Sequence, residues 1–450
     1  MPSGVSETQT AIDFAPTAPT LERVITFLDE QRDGAGSDAA LRREALASYA
    51  ALPAPGARPS RGWKYDYAAL TFDELRWTSG RVEMPALPVR PAQKPRPDEA
   101  GDVDRPALAT ENAGGLFFIG ATRIDAPSNV DPRITVEPLG ENGARDEIVD
   151  WRAEKFAALA TAFENCGAFV HVPDGVQLDT PIQIVFASAP DDEAVFPHIV
   201  VVLGKGARAT VIERHVGDGD QFTCGIVEVR AGEGAELDYA VVQQTGEAAR
   251  IFFSRGARCE RDAQVRWHLA ELGGALARTV LGAQLAAPGA RAETSALFFN
   301  TGMQHVDLTS GADHTVGPTT SDTVVRSAAT GRGQGRYVGN IVIRPKAHGS
   351  DASLRDDALL LSKQAHIDSI PALEIAANDV KAFHGATVGS LDEDALFYAG
   401  SRGIARAEAL RLITLGFFEP VIARFPGAAL RDEIRTALDG KIDDATELGA

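Results

Sequence analysis

Between residues 168 and 385 the chain alternates apolar and polar positions in short runs, among them Ile199 to Leu203, Ala209 to Glu213 and Leu237 to Gln243, separated by glycines. A period of two is that of β-strands with one face buried. The turns repeat as well. Gly206-Ala207-Arg208-Ala209, Gly234-Ala235-Glu236-Leu237, Gly256-Ala257-Arg258-Cys259 and Gly289-Ala290-Arg291-Ala292 recur at intervals of 28, 22 and 33 residues. Intervals of this size suit one coil of a β-solenoid, in which each coil buries its inward face only by stacking on the next. The loose spacing leaves a β-sandwich or barrel open beside it.

Helical spacing flanks this region on both sides. Leu21, Val24, Ile25 and Leu28 fall on one helical face, and Leu41, Leu46 and Tyr49 on a second. Asp150 as an N-cap predicts a further helix to about Asn165, with Phe156, Leu159 and Phe163 on one side. Pro85, Pro88, Pro91, Pro95, Pro97 and Pro106 remove backbone donors from an intervening stretch, which reads as a linker or extended arm. After Gly389 helices are expected over about 391–401, 405–424 and 429–440. The second carries Leu410, Ile413, Leu415, Phe417, Phe418, Val421 and Ile422, more than one stripe, so part of it must pack on the strand region or on a partner. The expected division is a helical region with its Pro-rich linker (81–110) over 1–165, a β core over 166–389 and a helical domain over 390–450.

Composition narrows the function. The 450 residues suit two or three domains, and 44% hydrophobic with 24% charged residues is globular. A net charge of −19 with no basic cluster argues against nucleic acid and against an anionic membrane surface. No long apolar run precedes Arg23, the first basic residue, which predicts a cytoplasmic protein. Cys166, Cys224 and Cys259 form no CxxC pair, so a four-thiolate cluster cannot come from this chain alone. GxxxxGK[ST], HExxH and GxSxG are all absent.

Chemistry concentrates near the end of the alternating region. His384 follows an apolar run in a Gly-rich segment, Gly385 to Gly389, read here as a turn, and Ser390 with Glu393 forms a capping box for the next helix. An imidazole there either bonds a nearby carbonyl or serves as a metal ligand or proton donor. His305 and His314 beside Asp307 and Asp313 have spacing that admits a metal, although alternation sends neighbours to opposite faces. His366 and Asp368 share one strand face near Glu374. Cys224 and Cys259, 35 residues apart, are close enough to the repeat to stack in adjacent coils. Gly331 to Gly335 precedes a strand from Tyr337 to Ile343 rather than a helix, so it reads as a solenoid turn and not a phosphate loop.

The segment HGATVGSLDEDALFYAGSRGI, His384 to Ile404, closely resembles the closing motif of the SufB/SufD family of iron–sulfur cluster assembly subunits. Leu359 to Gly389, Thr161 to Phe186, Asp313 to Ile343 and Trp63-Lys64-Tyr65 resemble further parts of it. The resemblance implies a right-handed parallel β-helix and a non-catalytic scaffold subunit. Its histidine-centred ending is similar to SufD rather than SufB. It implies a SufB-like partner through the solenoid and a SufC-like ATPase docked at Leu396, Phe397, Tyr398, Arg402 and Gly403. A homodimer is expected where no SufB partner is present. His384 would face the partner across a transient iron or iron–sulfur cluster, and FAD stays open as a cofactor at the level of the complex. Many SufD-like chains carry a cysteine two residues before this histidine; this chain has Ala382. The readings of another class are a β-helix carbohydrate-active enzyme, which requires paired acids on one rung face, and a purely structural interaction subunit.

Overall fold

The computed structural model describes residues 23–26, 36–54, 67, 75–77, 114–124, 130–139, 148–189 and 193–447. Leu21, Leu28, Trp63-Lys64-Tyr65 and the Pro-rich stretch 81–110 lie outside the described residues. The first elements are a helical turn at 23–26, then α1 (Gly36–Ala51), β1 (Arg76–Trp77), β2 (Gly114–Ile119), β3 (Thr122–Ile124), β4 (Thr135–Pro138) and α2 (Lys155–Phe163). Strands follow as β5 (Cys166–Val172), β6 (Ile182–Ala187), β7 (Glu193–Val195), β8 (Pro197–Leu203), β9 (Arg208–Gly217), β10 (Phe222–Ala231), β11 (Glu236–Thr245) and β12 (Arg250–Cys259). They continue with β13 (Gln264–Glu271), β14 (Leu276–Leu285), β15 (Arg291–Asn300), β16 (His305–His314) and β17 (Thr320–Ala329). The last are β18 (Gln334–Ile343), β19 (Asp351–Leu360), β20 (His366–Ile375) and β21 (Lys381–Ser390), before helices α3 (Glu393–Ser401), α4 (Arg406–Ile422) and α5 (Ala428–Glu447).

Successive strands alternate between two sheets, one ordered β20-β18-β16-β14-β12-β10-β8-β5-β4 and the other β21-β19-β17-β15-β13-β11-β9-β6-β2-β3. From β5 onward every stacked pair is parallel, so the core is a parallel β-solenoid with two strands per coil. The coil length varies from 26 residues, Arg250 over Leu276, to 32, Gln334 over His366. At the first end β3 and β4 pair antiparallel and close the stack, and β2 joins the second sheet, so strand pairing begins ahead of residue 166.

The corners explain the repeat and its looseness. Gly206, Gly234 and Gly289 occupy one equivalent corner with φ of +64°, +66° and +79°, each N–H donating to the next coil's corner carbonyl. Gly256 does not belong to this series: it lies inside β12. The missing corner is Asp262, φ +56°, whose N–H donates to Pro288 O in the same way. Aspartate tolerates the left-handed region better than most L-residues, so the intervals of 22 and 33 were one residue type away from 28 and 27.

Inward positions form one continuous core in which Tyr239 and Trp267 lie with ring centroids 4.9 Å apart. It also holds charge: Arg255 donates to both oxygens of Glu213 at 2.7 and 2.9 Å, and Tyr239 OH donates to Glu213 Oε2 at 2.6 Å. Burial would raise the Glu213 pKa, but the guanidinium and the His215 ring hold it well below the usual carboxylate range.

Part of each sheet's outer face is covered by helices. Helices α1 and α2 lie on the first sheet over Phe196, Phe222, Cys224, Ile226 and Phe252. They cap each other: Arg42 of α1 donates to Ala162 O and Glu164 O, and Lys155 of α2 donates to Tyr49 O and Leu52 O. Helix α2 begins at Lys155 with Glu154 as N-cap, accepting from Ala157 N at 2.6 Å, rather than at Asp150. Asp150 instead accepts from Arg152 N in a local turn. Between layer and sheet His198 bridges Glu164 (3.0 Å) and Glu228 (3.1 Å). Helices α4 and α5 fold back over the second sheet, placing Phe418, Val421, Ile422, Ile434 and Leu438 on Ala240, Val242, Leu297 and Phe299. The apolar excess of α4 thus packs on the solenoid. Lys441 ties α5 down by donating to Leu272 O (2.6 Å) and Gln304 Oε1 (2.7 Å), and Arg214 pairs with Glu433 at 3.0 Å.

Two predictions follow from these layers. A Cβ at Gly234 meets no atom within 4 Å, so Gly234→Ala isolates backbone strain and costs about 1–2 kcal/mol in urea unfolding. Asp262→Gly should be neutral to stabilising, within about 1 kcal/mol. For His198, burial lowers the pKa but the two carboxylates outweigh it and raise it to about 9. A raised imidazole pKa adds stability that is complete below the unfolded value near 6.5 and is lost as pH rises through about 9. Thermal melts of wild type should therefore weaken between about pH 6.5 and 9 more than those of His198→Gln.

Candidate functional site at the open end of the solenoid

Strands β20 and β21 terminate their sheets, and among the described residues no strand pairs with their outer edges. A terminal strand presents unpaired N–H and C=O groups. Side chains there are apolar yet exposed, with Ile370, Ile375, Phe383 and Val388 all open to solvent and Phe383 at 50% exposure. Arg355 places its guanidinium 5.9 Å from the Phe383 ring.

His384 lies in the middle of β21 and not in a turn. Gly385 and Gly389 continue the strand without positive φ. The Gly-rich segment keeps β-geometry because β19 pairs with it along its whole length, from Asp351 on Lys381 to Leu360 on Ser390. His384 stacks on Leu354, an inward core residue, and shares the parity of Ala382, which packs on the core. The imidazole is therefore on the inward-facing column of the last coil, exposed with no further strand above it among the described residues.

The following turn departs from the expected capping box. Ser390 ends β21, and Asp392 is the N-cap of α3, accepting from Asp394 N at 2.9 Å. Glu393 instead makes a bidentate pair with Arg406 of α4 at 2.8 and 2.9 Å. Of the expected docking residues, Leu396 is buried at 4% exposure, whereas Phe397 and Tyr398 stand out at 79% and 60%. Arg402 donates to Tyr398 OH at 3.0 Å, and Gly403 takes φ +83° just beyond the helix. Leu396 is thus core, and the exposed surface is Phe397, Tyr398 and Arg402.

The other sequence candidates are not brought together. His305 and Asp307 face outward on β16, while His314 points into the core, bonding Thr319 Oγ1 (2.8 Å) and Ser321 Oγ (2.9 Å). Asp313 points out to Arg344 at 2.9 Å. Asp307 is occupied by Tyr67 OH (3.0 Å) and Arg278 (3.5 Å). Burial lowers His305 and His314 to about 4, which suits neutral packed rings. His366 and Asp368 do share a face and bond at 2.9 Å; Glu374 is exposed on the same strand parity. Cys224 and Cys259 do not stack: Cys224 pairs in register with Phe252 and lies under α2, while Cys259 pairs with Ala231 and lies in the core. All three thiols are buried, with burial pushing Cys259 up to about 12 and Cys166 and Cys224 also upward, so none is a ready thiolate. Gly331 to Gly335 forms a coil corner entering β18, as expected. Among the described residues no group of three or more His, Cys, Asp or Glu is placed to hold a metal ion.

Asp356 was missed. It is fully buried below the open end, with burial pushing it up to about 7. The signal was present in Ser353-Leu354-Arg355-Asp356-Asp357-Ala358, where one acid falls on the apolar parity.

Comparison with known proteins gives this geometry its context. The family described as "SUF system FeS cluster assembly, SufBD core domain" matches residues 185–417, more than half of the chain and including β21 and α3. The chain belongs to the SufBD family. Similar proteins include a SufBD family iron–sulfur cluster assembly protein of Mycobacterium leprae, 28% identical over 276 residues, 61% of this chain and 32% of that protein. The iron–sulfur cluster assembly proteins SufB and SufD of Bacillus subtilis are 28% and 29% identical over 276 and 296 residues, 60% and 64% of this chain. The chain spans about a third of the Mycobacterium leprae protein's length, 59% of SufB and 67% of SufD.

In this SufBD chain the burial split within α3 gives a direct check. Leu396→Ala should cost about 2–5 kcal/mol in chemical denaturation, while Phe397→Ala should stay within about 0.5 kcal/mol of wild type.

Proposed function

We propose that this chain is a SufD-like scaffold subunit in iron–sulfur cluster assembly, working in the cytoplasm. In this reading it pairs with a SufB-like protein through β20 and β21, and binds a SufC-like ATPase at Phe397, Tyr398 and Arg402. His384 is offered across the first interface to iron or to a nascent cluster. Iron and sulfide are cargo here. The SufBD membership supports the assembly role, and the absence of a Walker motif fits a subunit that an ATPase moves rather than one that hydrolyses ATP.

The observation that carries the reading is the placement of His384. An exposed imidazole on the inward column of an unfinished solenoid is positioned to be enclosed when a second chain augments the edge. The similarity to SufB and to SufD is nearly equal, so the choice of SufD rests on the segment before His384. Residues 351–390 contain no cysteine, leaving an imidazole rather than a thiol as the donor. Because this chain contributes no three-donor cluster among the described residues, the remaining ligands come from the partner. No helix among the described residues is long and apolar enough to cross a membrane. Two outer-face acids of the kind a carbohydrate-active enzyme would use are held in ion pairs, Asp238 with Arg266 at 3.2 Å and Asp322 with Arg424 at 2.7 Å.

The test is co-expression with SufB-like and SufC-like partners, anaerobic purification, and measurement of iron and acid-labile sulfide per complex. His384→Ala should assemble normally while both fall about tenfold, in the range seen when a metal-supporting residue is lost. Unchanged iron and sulfide in an intact complex would leave a structural subunit.

A further inference from the structure

One coil beneath His384 the solenoid buries a carboxylic acid with incomplete bonding. Asp356 lies on β19 with the inward parity of Ala352, Leu354 and Ala358 and is 0% exposed. One oxygen accepts the Ser369 hydroxyl from β20, across the interior. The other, Oδ1, has no hydrogen-bond partner. Glu213 in the same core is answered by Arg255, and Glu271, whose Oε2 is also unpartnered, still has the Arg255 charge acting on it. The groups raising or lowering Asp356 are burial, the Ser369 hydroxyl and the neighbouring Asp357, with no cation among them. An unanswered buried carboxyl oxygen is costly, so it is retained where it has a ligand to meet.

The register fixes its relation to the open end. Leu354 stacks under His384 and Asp356 under Ala386, so Asp356 sits one coil down and one inward position along from the imidazole. A strand spacing near 4.8 Å and a rise near 3.3 Å per residue put the two Cα atoms about 8 Å apart. An imidazole and a carboxylate reaching toward each other can span that gap to one metal ion. Among the described residues the β21 side chain in register above Asp356 is the methyl of Ala386, with Gly385 beside it. The Asp356 carboxylate and the Ser369 hydroxyl therefore lie buried just beneath the last coil, close to the exposed His384 imidazole.

We propose that Asp356 and His384 together form this chain's half of a divalent-iron site at the mouth of the solenoid. The inference rests on the reading of His384 as iron-facing and adds the second donor. An oxygen and a nitrogen donor suit Fe(II) and its usual probe Co(II), while the softer sulfide and thiolate ligands of a cluster come from outside the chain. Two donors hold a metal weakly and leave open positions, as a hand-over site requires. Ser369 orients the carboxylate without being a ligand.

The test is anaerobic Co(II) titration of the full chain, followed by visible d–d absorption, for wild type, Asp356→Asn, His384→Ala and Ser369→Ala. Thermal melts check folding, and Asp356→Ser replaces Asp356→Asn if the latter does not fold. The expected result is one Co(II) per wild-type chain, with binding weakened at least about tenfold by either the Asp356 or the His384 substitution. Ser369→Ala should retain it. Loss with His384→Ala but wild-type binding with the Asp356 variants would overturn the role of Asp356 and leave the reading of His384 standing. Wild-type binding by both would overturn both.

Discussion

A parallel coil satisfies its backbone only by lying between two others, and that requirement organises the whole chain. Between the first coils and β19 each strand has hydrogen-bonded neighbours on both edges. The stack begins against β3 and β4, which pair antiparallel with β2 and β5. At the other end β20 and β21 have no such closure. The chain builds a two-sheet column that turns antiparallel at one end and, among the described residues, stays parallel to the last strand at the other. The one exposed histidine on the inward column stands at that parallel end.

The faces of the column are treated differently from its end. Small helical layers cover part of each outer sheet with aromatic and aliphatic side chains; buried Arg42 and half-buried Lys155 fasten one layer at its helix termini, and half-buried Lys441 ties the other to the solenoid. Those donors answer carbonyls that would otherwise be buried unpaired. Apolar residues under the helices are thereby hidden, whereas Ile370, Phe383, Val388, Phe397 and Tyr398 stay exposed. Exposed apolar side chains are thus concentrated at, though not confined to, the end of the column, Met303 and Leu412 being exposed elsewhere.

Much of this was legible in the sequence because a solenoid writes its period into its corners. The strands from Ile199 onward, the buried apolar face of α4 and the free thiols were all visible as alternation, helical spacing and cysteine count. What was not legible depends on contacts between distant residues. The corner at Asp262 was hidden because an aspartate stood where a glycine marks its neighbours. The Gly-rich segment around His384 reads locally as a turn, and only pairing with β19 holds it extended. Helix α2 starts at Lys155 because Glu154 is also engaged by Ser254 and Arg278, which no local rule contains. At the candidate site His384 was found from its motif, while Asp356 became visible only once register showed which acid faces inward.

The return of α4 and α5 along the second sheet has a mechanical consequence. Helix α3 is joined to α4 by the Glu393–Arg406 pair, α4 lies against β15 and β17, and α5 is anchored by Lys441 near β13 and β16. A partner gripping Phe397 and Tyr398 therefore does not load the last coil alone. Its pull runs in shear down the helical strap and is shared by coils far behind the open end. The helical strap thus connects the exposed side of α3 to coils far behind β21.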